Sequence, residues 1–255
     1  MLNYISLGCG EEKVFFLHGW KMDHTCFDGL HSALDKTAFT YVFVDQRGYG
    51  LSKDQAGPFT IQQIAADIIE LADHLGWDAF HVAGHSMGGK VISRLMADVP
   101  SRIKSAVGIT PVPPVEIPFD EQGFGLFASA DKDASARQEI FRMSTGNRLT
   151  DTWYERVTAA SMAASTPEAF REYLDAWVKY SFFEDVQGCS VPVKILPGEH
   201  DPHLTYETMQ GTYGQWFKNV EIVQLANCGH YPMYEIPLAL AAECETFFRK
   251  NSLGV

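Results

Sequence analysis

Short apolar runs alternate with amphipathic segments along most of the 255 residues. Each apolar run is rich in β-branched and aromatic residues and is too short for a helix, which indicates a buried strand. The runs are KVFFLHG from residue 13, FTYVFV from residue 39, AFHVAG from residue 79, SAVGIT from residue 105, PVKILPG from residue 192 and VEIVQLA from residue 220. Near-continuous apolar strands separated by helices are typical of a parallel sheet covered on both faces. The pattern therefore predicts an α/β fold.

The clearest helix begins after Thr60 and ends near Gly76. Its apolar residues have the spacing of one buried helix face. They are Ile61, Ile64, Ile68, Leu71 and Leu75. Thr60 and Gln63 have the spacing of a capping box, and Gly76 is a typical helix stop. A second helix is predicted for GGKVISRLMADVP, directly after the strand at residues 79–84.

One region breaks this alternation of strand and helix. TPVPPVEIPFD, from residue 110, carries four of the twelve prolines, and residues 120 to about 185 show helical patterns without a convincing strand. Helices are expected at residues 133–145, 150–164 and 166–181. The sequence thus predicts a core domain, residues 1–111 and 186–255, with a helical insertion at residues 112–185.

Composition narrows the classes of partner and compartment. The formal net charge of −12 argues against nucleic acid or an anionic membrane surface as a partner. No window has the length of a membrane span, and the N-terminus lacks a signal-peptide pattern. Five scattered cysteines without a CxxC pair predict neither a disulfide framework nor a zinc site. We therefore expect a cytoplasmic protein that uses no metal or cofactor. The oligomeric state is left open between a monomer and a homodimer.

The sequence GHSMG at residues 84–88 places a serine between two glycines, after a predicted strand and before a predicted helix. In this context G-x-S-x-G is typical of a nucleophile elbow, whose sharp turn lifts the serine oxygen above the strand end. Ser86 is therefore the candidate nucleophile. The alternative is a glycine turn with a purely structural role.

A serine nucleophile needs a base and a group that orients the base. His230 lies in LANCGHYPMYEIP, a loop between the last predicted strand and the last helix. Asp201 directly follows a predicted strand, and Glu199 is a competing carboxylate two residues earlier. Asp201 is preferred because it lies deeper in the loop and Pro202 fixes the turn after it. The alternatives are a histidine that caps a helix and an aspartate in an Asx turn.

Two backbone N–H groups are expected to stabilise a developing oxyanion. Met87 follows the candidate nucleophile, and its N–H lies at the start of a helix. Trp20 lies in the turn HGW after the first apolar strand, so its N–H is the second candidate. The alternative is that Gly19 serves only the turn and Trp20 only packs. His18 is interpreted as a structural loop residue.

These stretches together resemble the α/β-hydrolase superfamily, in particular its capped, esterase- and lactonase-like members. The matching motifs are HGW at 18–20, DQRGYGLS at 45–52, GHSMGG at 84–89, GEHD at 198–201 and GHYP at 229–232. The chain order Ser86, Asp201, His230 is also the order of that triad. The resemblance implies an eight-stranded, mostly parallel sheet with helices on both faces and a helical cap inserted after the sixth strand. It further implies that Asp45, Arg47 and Gly48 brace the loop beside the active site.

The implied activity is hydrolysis of a carboxylic ester or lactone, with Ser86 as nucleophile, His230 as base and Asp201 as acid. The inserted segment is rich in aromatic residues and has no cluster of basic ones, which predicts a small to medium, neutral, largely apolar substrate. Trp153 and Trp177 are the candidate substrate contacts. Cleavage of C–C bonds in ring-opened dienones, a perhydrolase side activity and a receptor-like ligand binder are the alternatives.

Overall fold

The computed structural model describes residues 1–252, and its strands form one seven-stranded sheet. The strands are β1 (Tyr4–Gly8), β2 (Glu12–Leu17), β3 (Phe39–Val44), β4 (Phe80–His85), β5 (Ile103–Ile109), β6 (Val193–Leu196) and β7 (Val220–Ile222). Their order across the sheet is β1-β3-β2-β4-β5-β6-β7. Neighbouring strands are parallel except β1 and β3, which are antiparallel. The predicted α/β class with a mostly parallel sheet is confirmed.

Helices connect the strands and cover both faces of the sheet. They are α1 (Ile61–His74), α2 (Met87–Asp98), α3 (Glu121–Ser129), α4 (Ala134–Ser144), α5 (Asp151–Ala164), α6 (Pro167–Lys179), α7 (Phe183–Val186), α8 (Tyr206–Gly211), α9 (Tyr213–Trp216), α10 (Pro232–Glu235) and α11 (Pro237–Ser252). Successive residues of a strand point to opposite faces. Phe15 of β2 accordingly packs in the cluster that includes α1 and α2, while Phe16 packs in the cluster that includes α11.

Helix α1 shows how local sequence sets the ends of an element. The Thr60 hydroxyl accepts the N–H of Gln63 at 3.1 Å, while the Gln63 side chain bonds along the helix, so half of the predicted capping box forms. At the other end Gly76 has a φ of +68°, and the N–H of Trp77 donates to the carbonyl of Ala72 at 2.8 Å. This is the Schellman pattern, which glycine favours because it has no Cβ.

The strand count differs by one from the eight that the resemblance implied. Strand β1 is the one antiparallel strand among the described residues, and the chain turns from it at Gly8, where φ is +86°, almost directly into β2. The insertion consequently follows the fifth strand of this chain rather than the sixth. Strand β1 was not predicted from the sequence, because this edge strand is partly exposed and lacks a continuous apolar run.

Five helices, α3 to α7, lie between β5 and β6, and we call them the inserted helices. Helices α4, α5 and α6 correspond to the three expected helices, and each begins after a side-chain cap, Asp133, Thr150 and Thr166 respectively. Helix α3 is additional. Its two glycines, Gly123 and Gly125, lower the helix propensity of the segment, which explains why this helix was not predicted from the sequence.

Hydrogen bonds from buried side chains connect the inserted segment to the core. The Lys90 Nζ on α2 donates to the carbonyls of Val115 and Trp177 at 2.7 and 2.8 Å. The Trp20 indole N–H donates to the carbonyl of Phe170 at 2.6 Å. These groups are buried or partly buried, so losing either contact would leave polar atoms unsatisfied at a cost in stability.

Candidate active site

Ser86 lies in the turn that joins β4 to α2, at the carboxyl edge of the sheet. Its φ is +52°, a left-handed conformation that a serine adopts only where the surroundings impose it. The turn is close-packed on both sides. A Cβ on Gly84 would lie 2.2 Å from the Gly88 carbonyl oxygen, and a Cβ on Gly88 would lie 2.6 Å from the carbonyl oxygen of Leu17. Glycine at both positions is therefore required by space.

A chain of hydrogen bonds runs from Ser86 to a buried carboxylate. The Ser86 Oγ lies 2.9 Å from the Nε2 of His230, and the His230 Nδ1 lies 2.6 Å from the Oδ2 of Asp201. Asp201 is 4% exposed, so its carboxylate depends on protein donors rather than on water. The geometry lets the imidazole take a proton at Nε2 while the carboxylate holds the opposite nitrogen.

The Asp201 carboxylate is fixed by its own loop. Its Oδ1 accepts the backbone N–H groups of His203 and Leu204 at 3.0 and 3.1 Å. Burial acts to raise the pKa of Asp201, but the His230 ring and these hydrogen bonds outweigh it and hold the pKa below its ordinary value. Asp201 is therefore ionised over the range in which the site would work.

Glu199, the competing carboxylate, lies elsewhere. Its Oε2 accepts the backbone N–H of Asn227 at 2.8 Å, and its side chain is about half exposed. The structure thus brings Asp201, and not Glu199, to the histidine.

The backbone of His230 is held from three sides. Its N–H donates to the carbonyl of Ser144 on the inserted helices at 3.0 Å. Its carbonyl accepts the Thr110 hydroxyl at 3.0 Å and the His85 Nε2 at 2.8 Å. Burial lowers the pKa of His85 well below its ordinary value, so that ring is neutral and serves as a donor. Sequence reasoning missed His85 and Ser144, because only the fold shows that they meet His230.

Both expected oxyanion donors lie next to Ser86 in the fold. Met87 is the first residue of α2, where an N–H has no acceptor within the helix, and Trp20 lines the cavity that contains Ser86. Among the described residues neither backbone N–H donates to an acceptor. Their role as donors to an oxygen of a bound molecule stays a prediction.

The loop residues assigned a bracing role bond to neighbouring segments, and none of them lines the cavity. The Asp45 carboxylate accepts the N–H and the Nδ1 of His24, both at 2.7 Å, and Arg47 makes a two-point ion pair with Asp67. The His18 Nε2 accepts a backbone N–H at 3.1 Å. Burial lowers the pKa of His18, which keeps the ring neutral, in agreement with a structural role.

A cavity of about 630 Å³ lies between the carboxyl edge of the sheet and the inserted segment. Ser86, His230 and Asp201 line it, and most of its remaining wall is apolar. Trp177 of α6 lines this cavity, as expected of a substrate contact. Trp153 does not: it packs behind Tyr231 and Tyr234, with ring centroids 6.1 and 5.7 Å away. The expectation for Trp153 was wrong because composition alone cannot show which way α5 faces.

Lys21 is the cavity residue that sequence reasoning missed most clearly. It follows Trp20 directly, is 6% exposed, and lines the cavity with its ammonium 4.2 Å from the centroid of the Phe141 ring. Its place beside the candidate oxyanion donor was a signal in the sequence. The sequence gives Lys21 no other signal, because its burial depends on Phe141 and Tyr231 from distant parts of the chain.

Comparison with known proteins settles the family. Residues 14–243, most of the chain, match the family described as "Alpha/beta hydrolase family". The chain belongs to the alpha/beta hydrolase family. It is accordingly an enzyme of the α/β-hydrolase superfamily, as the motifs predicted.

Individual relatives of this alpha/beta hydrolase differ in activity. The dihydrolipoyllysine-residue acetyltransferase component of the acetoin cleaving system from Cupriavidus necator is 36% identical over 113 residues, 44% of this chain and 29% of that protein. The bifunctional esterase/perhydrolase DCH from Acinetobacter calcoaceticus is 24% identical over 234 residues, 85% of this chain and 84% of that protein. An esterase from Exiguobacterium antarcticum shares the fold, with a TM-score of 0.87, 16% identity, and coverage of 97% of this chain and 95% of that one.

None of the helices within residues 1–252 is both long and apolar enough to cross a membrane. The same residues contain no group of three or more histidine, cysteine, aspartate or glutamate side chains placed to hold a metal ion.

Proposed function

We propose that the protein is a serine hydrolase that cleaves a carboxylic ester or lactone through an acyl-enzyme. The observation that carries the proposal is the hydrogen-bonded chain from Ser86 Oγ through His230 to Asp201, with distances of 2.9 and 2.6 Å. A base within hydrogen-bond reach of a nucleophile, itself oriented by a third group, is the arrangement that acyl transfer requires.

In the first half of the proposed reaction Ser86 attacks the carbonyl carbon while His230 Nε2 takes the hydroxyl proton. The carbonyl oxygen gains the negative charge and accepts the N–H groups of Trp20 and Met87. When this intermediate collapses, the bond to the leaving oxygen breaks. His230 gives its proton to that oxygen. From an ester the alcohol departs, whereas in a lactone the new hydroxyl stays attached to the acyl group.

The second half repeats these roles with water. His230 takes a proton from a water molecule, whose oxygen attacks the carbonyl carbon of the acyl-enzyme. Collapse of the second intermediate returns the proton to the Ser86 oxygen and releases a carboxylic acid. Asp201 stays ionised throughout and stabilises the imidazolium.

The cavity supports a substrate of small to medium size. A volume of about 630 Å³ falls within the range of small-molecule sites, and its aromatic wall includes Trp20, Phe119, Phe127 and Trp177. The inserted segment, which we propose acts as a cap, closes over Ser86 and would exclude long-chain triglycerides. The largely apolar part of the expected substrate fits this wall.

A perhydrolase side activity is the second candidate, and the observation in its favour is the similarity to the esterase/perhydrolase DCH. In that reaction hydrogen peroxide replaces water in the second half, and a peracid replaces the acid. Cleavage of C–C bonds in ring-opened dienones would use the same three side chains, so substrate tests must separate it.

A substrate panel tests the proposed class. We expect p-nitrophenyl esters of short acyl chains, or lactones of similar size, to be hydrolysed with a higher kcat/KM than ring-opened dienones. Ser86→Ala should lower kcat on the best ester by several decades, because a triad member is lost. Turnover confined to dienones would move the assignment to C–C hydrolysis. Tight binding of ligands without turnover would indicate a receptor-like protein.

A further inference from the structure

One lysine inside the cavity has no counter-ion. Lys21 lines the cavity and is 6% exposed, and among the described residues its Nζ makes no hydrogen bond and no ion pair. This nitrogen is not one of the fully enclosed unpaired atoms, so it faces the cavity. Lysine is rarely buried to this extent without a partner, because removing an ammonium from water costs several kcal/mol unless an acceptor replaces the water.

The other buried lysines of the described chain show what a satisfied amine looks like here. Lys90 donates to two backbone carbonyls at 2.7 and 2.8 Å. Lys194 forms ion pairs with Glu221 and Glu243 at 3.0 and 2.6 Å. Lys21 has the same degree of burial as Lys194 but opens onto the cavity instead of onto protein acceptors.

Aromatic rings hold the Lys21 head group in place. Its Nζ lies 4.2 Å from the centroid of Phe141 and 5.5 Å from that of Tyr231, the residue after His230. Ring faces attract a cation but accept no strong hydrogen bond, so the N–H groups that point away from them remain free. The rings thus fix a cationic donor beside the reacting centre.

We propose that Lys21 binds a carboxylate carried by the substrate, so that the enzyme prefers esters bearing one carboxylate over uncharged esters of the same size. This inference rests on the proposed hydrolase function and specifies its substrate class. It replaces the expectation of a neutral substrate while keeping the rest of the substrate largely apolar.

A single carboxylate fits the surroundings better than a phosphate group. Lys21 supplies one point charge, whereas a phosphate group carries more charge and usually takes several donors or an arginine fork. Asp201 is the carboxylate whose charge acts on Lys21, and it is already bonded to His230. Glu116 and Asp120 also line the cavity but are exposed, so they lie toward its mouth and leave the buried amine unpaired.

The protein surroundings of Lys21 disfavour the charged form of its amine. Burial lowers the pKa of Lys21 well below its ordinary value, and the charge of Arg137 acts in the same direction, while that of Asp201 opposes them. An anion at the ammonium would favour its charged form. Substrate binding and protonation of Lys21 would therefore reinforce each other.

The test compares matched substrates. Monoesters of p-nitrophenol with dicarboxylic acids from glutarate to suberate are paired with the same esters in which a primary amide replaces the free carboxylate. For the best chain length we expect wild type to prefer the carboxylate about 10- to 100-fold in kcat/KM, mainly through KM, the range of a hydrogen bond to a charged group. Lys21→Met should abolish this preference, so that the two members of each pair are hydrolysed with equal kcat/KM.

Lys36→Met is the matched control, because it also removes one positive charge but from an exposed residue near the opposite edge of the sheet. It should leave the preference unchanged. Equal kcat/KM for both members of every pair in wild type would overturn the proposal, and so would an unchanged preference in Lys21→Met.

A binding measurement separates this proposal from the hydrolase function. Wild-type enzyme is titrated by calorimetry with N-butyl monoamides of the same diacids and with their fully amidated analogues. Tighter binding of the carboxylates by wild type, lost in Lys21→Met, supports the site. This holds even if p-nitrophenyl butyrate is not hydrolysed, because absence of hydrolysis would overturn only the proposed hydrolase function. Hydrolysis of p-nitrophenyl butyrate without any carboxylate preference in binding overturns only the role of Lys21.

Discussion

Replacing Asp201 by asparagine tests how the acid acts on the histidine. The Oδ1 of Asp201 accepts two backbone N–H groups, and its Oδ2 faces the Nδ1 of His230 at 2.6 Å. In Asp201→Asn the amide oxygen must stay with the two N–H donors, which turns the NH₂ group toward His230. The Nδ1 then has to accept, so the proton moves to Nε2, the atom that should take the proton of Ser86.

The expected loss is about 10⁴-fold in kcat, close to 5.5 kcal/mol in the activation barrier, the size found when an aspartate in this role becomes asparagine in another serine hydrolase. The assay is steady-state hydrolysis of a p-nitrophenyl ester, with circular dichroism to establish folding. Glu199→Gln is the matched control. Its oxygen can still accept the N–H of Asn227, so its activity should stay within about threefold. A folded Asp201→Asn enzyme with less than a tenfold loss would refute this account of the acid.

Further predictions concern packing and pH. Gly88→Ala should lower the free energy of unfolding by roughly 1–3 kcal/mol, because its Cβ would lie 2.6 Å from a backbone oxygen. Gly125→Ala is the control and should not destabilise the protein, because the space around Gly125 is open. Equal urea midpoints for the two variants would contradict this prediction. Burial lowers the pKa of His81 to about 4 from an ordinary 6.5. As the pH falls, His81 is therefore protonated in the unfolded chain before it is protonated in the folded protein. The free energy of unfolding consequently decreases from about pH 6.5 down to pH 4, by about 2 kcal/mol between pH 7 and pH 5. Urea unfolding at pH 7 and pH 5 should show that His81→Gln loses less free energy of unfolding on acidification than wild type does. An equal loss in the two proteins would show that His81 is not responsible.

The sequence was most informative where backbone geometry demands particular residues. The elbow at Ser86 requires glycine at positions 84 and 88 for lack of space, so its pattern is visible in the letters alone. Asp201 and His230 each follow a strand, and the carboxyl ends of parallel strands meet at one edge, so their proximity could be expected before any coordinates. The structure brings all three together.

Features that depend on tertiary packing could not be predicted in this way. Strand β1 exists because it pairs with β3, not because Tyr4–Gly8 has a strong pattern of its own. Trp153 and Trp177 are alike in sequence context, and only the orientation of α5 and α6 decides which one lines the cavity. Lys21 reads as an ordinary polar loop residue until the fold encloses it with Phe141 and Tyr231.

The most direct test of the central claim is covalent labelling of the nucleophile. The protein is incubated with a serine-directed fluorophosphonate, digested with trypsin and analysed by mass spectrometry. We predict one adduct per chain, on Ser86 in the peptide 54–90, and no adduct in folded Ser86→Ala. Asp201→Asn should label far more slowly, since its histidine cannot take the serine proton. A correctly folded wild-type protein that stays unlabelled, or that is labelled at another residue, would contradict the claim that Ser86 is an activated nucleophile.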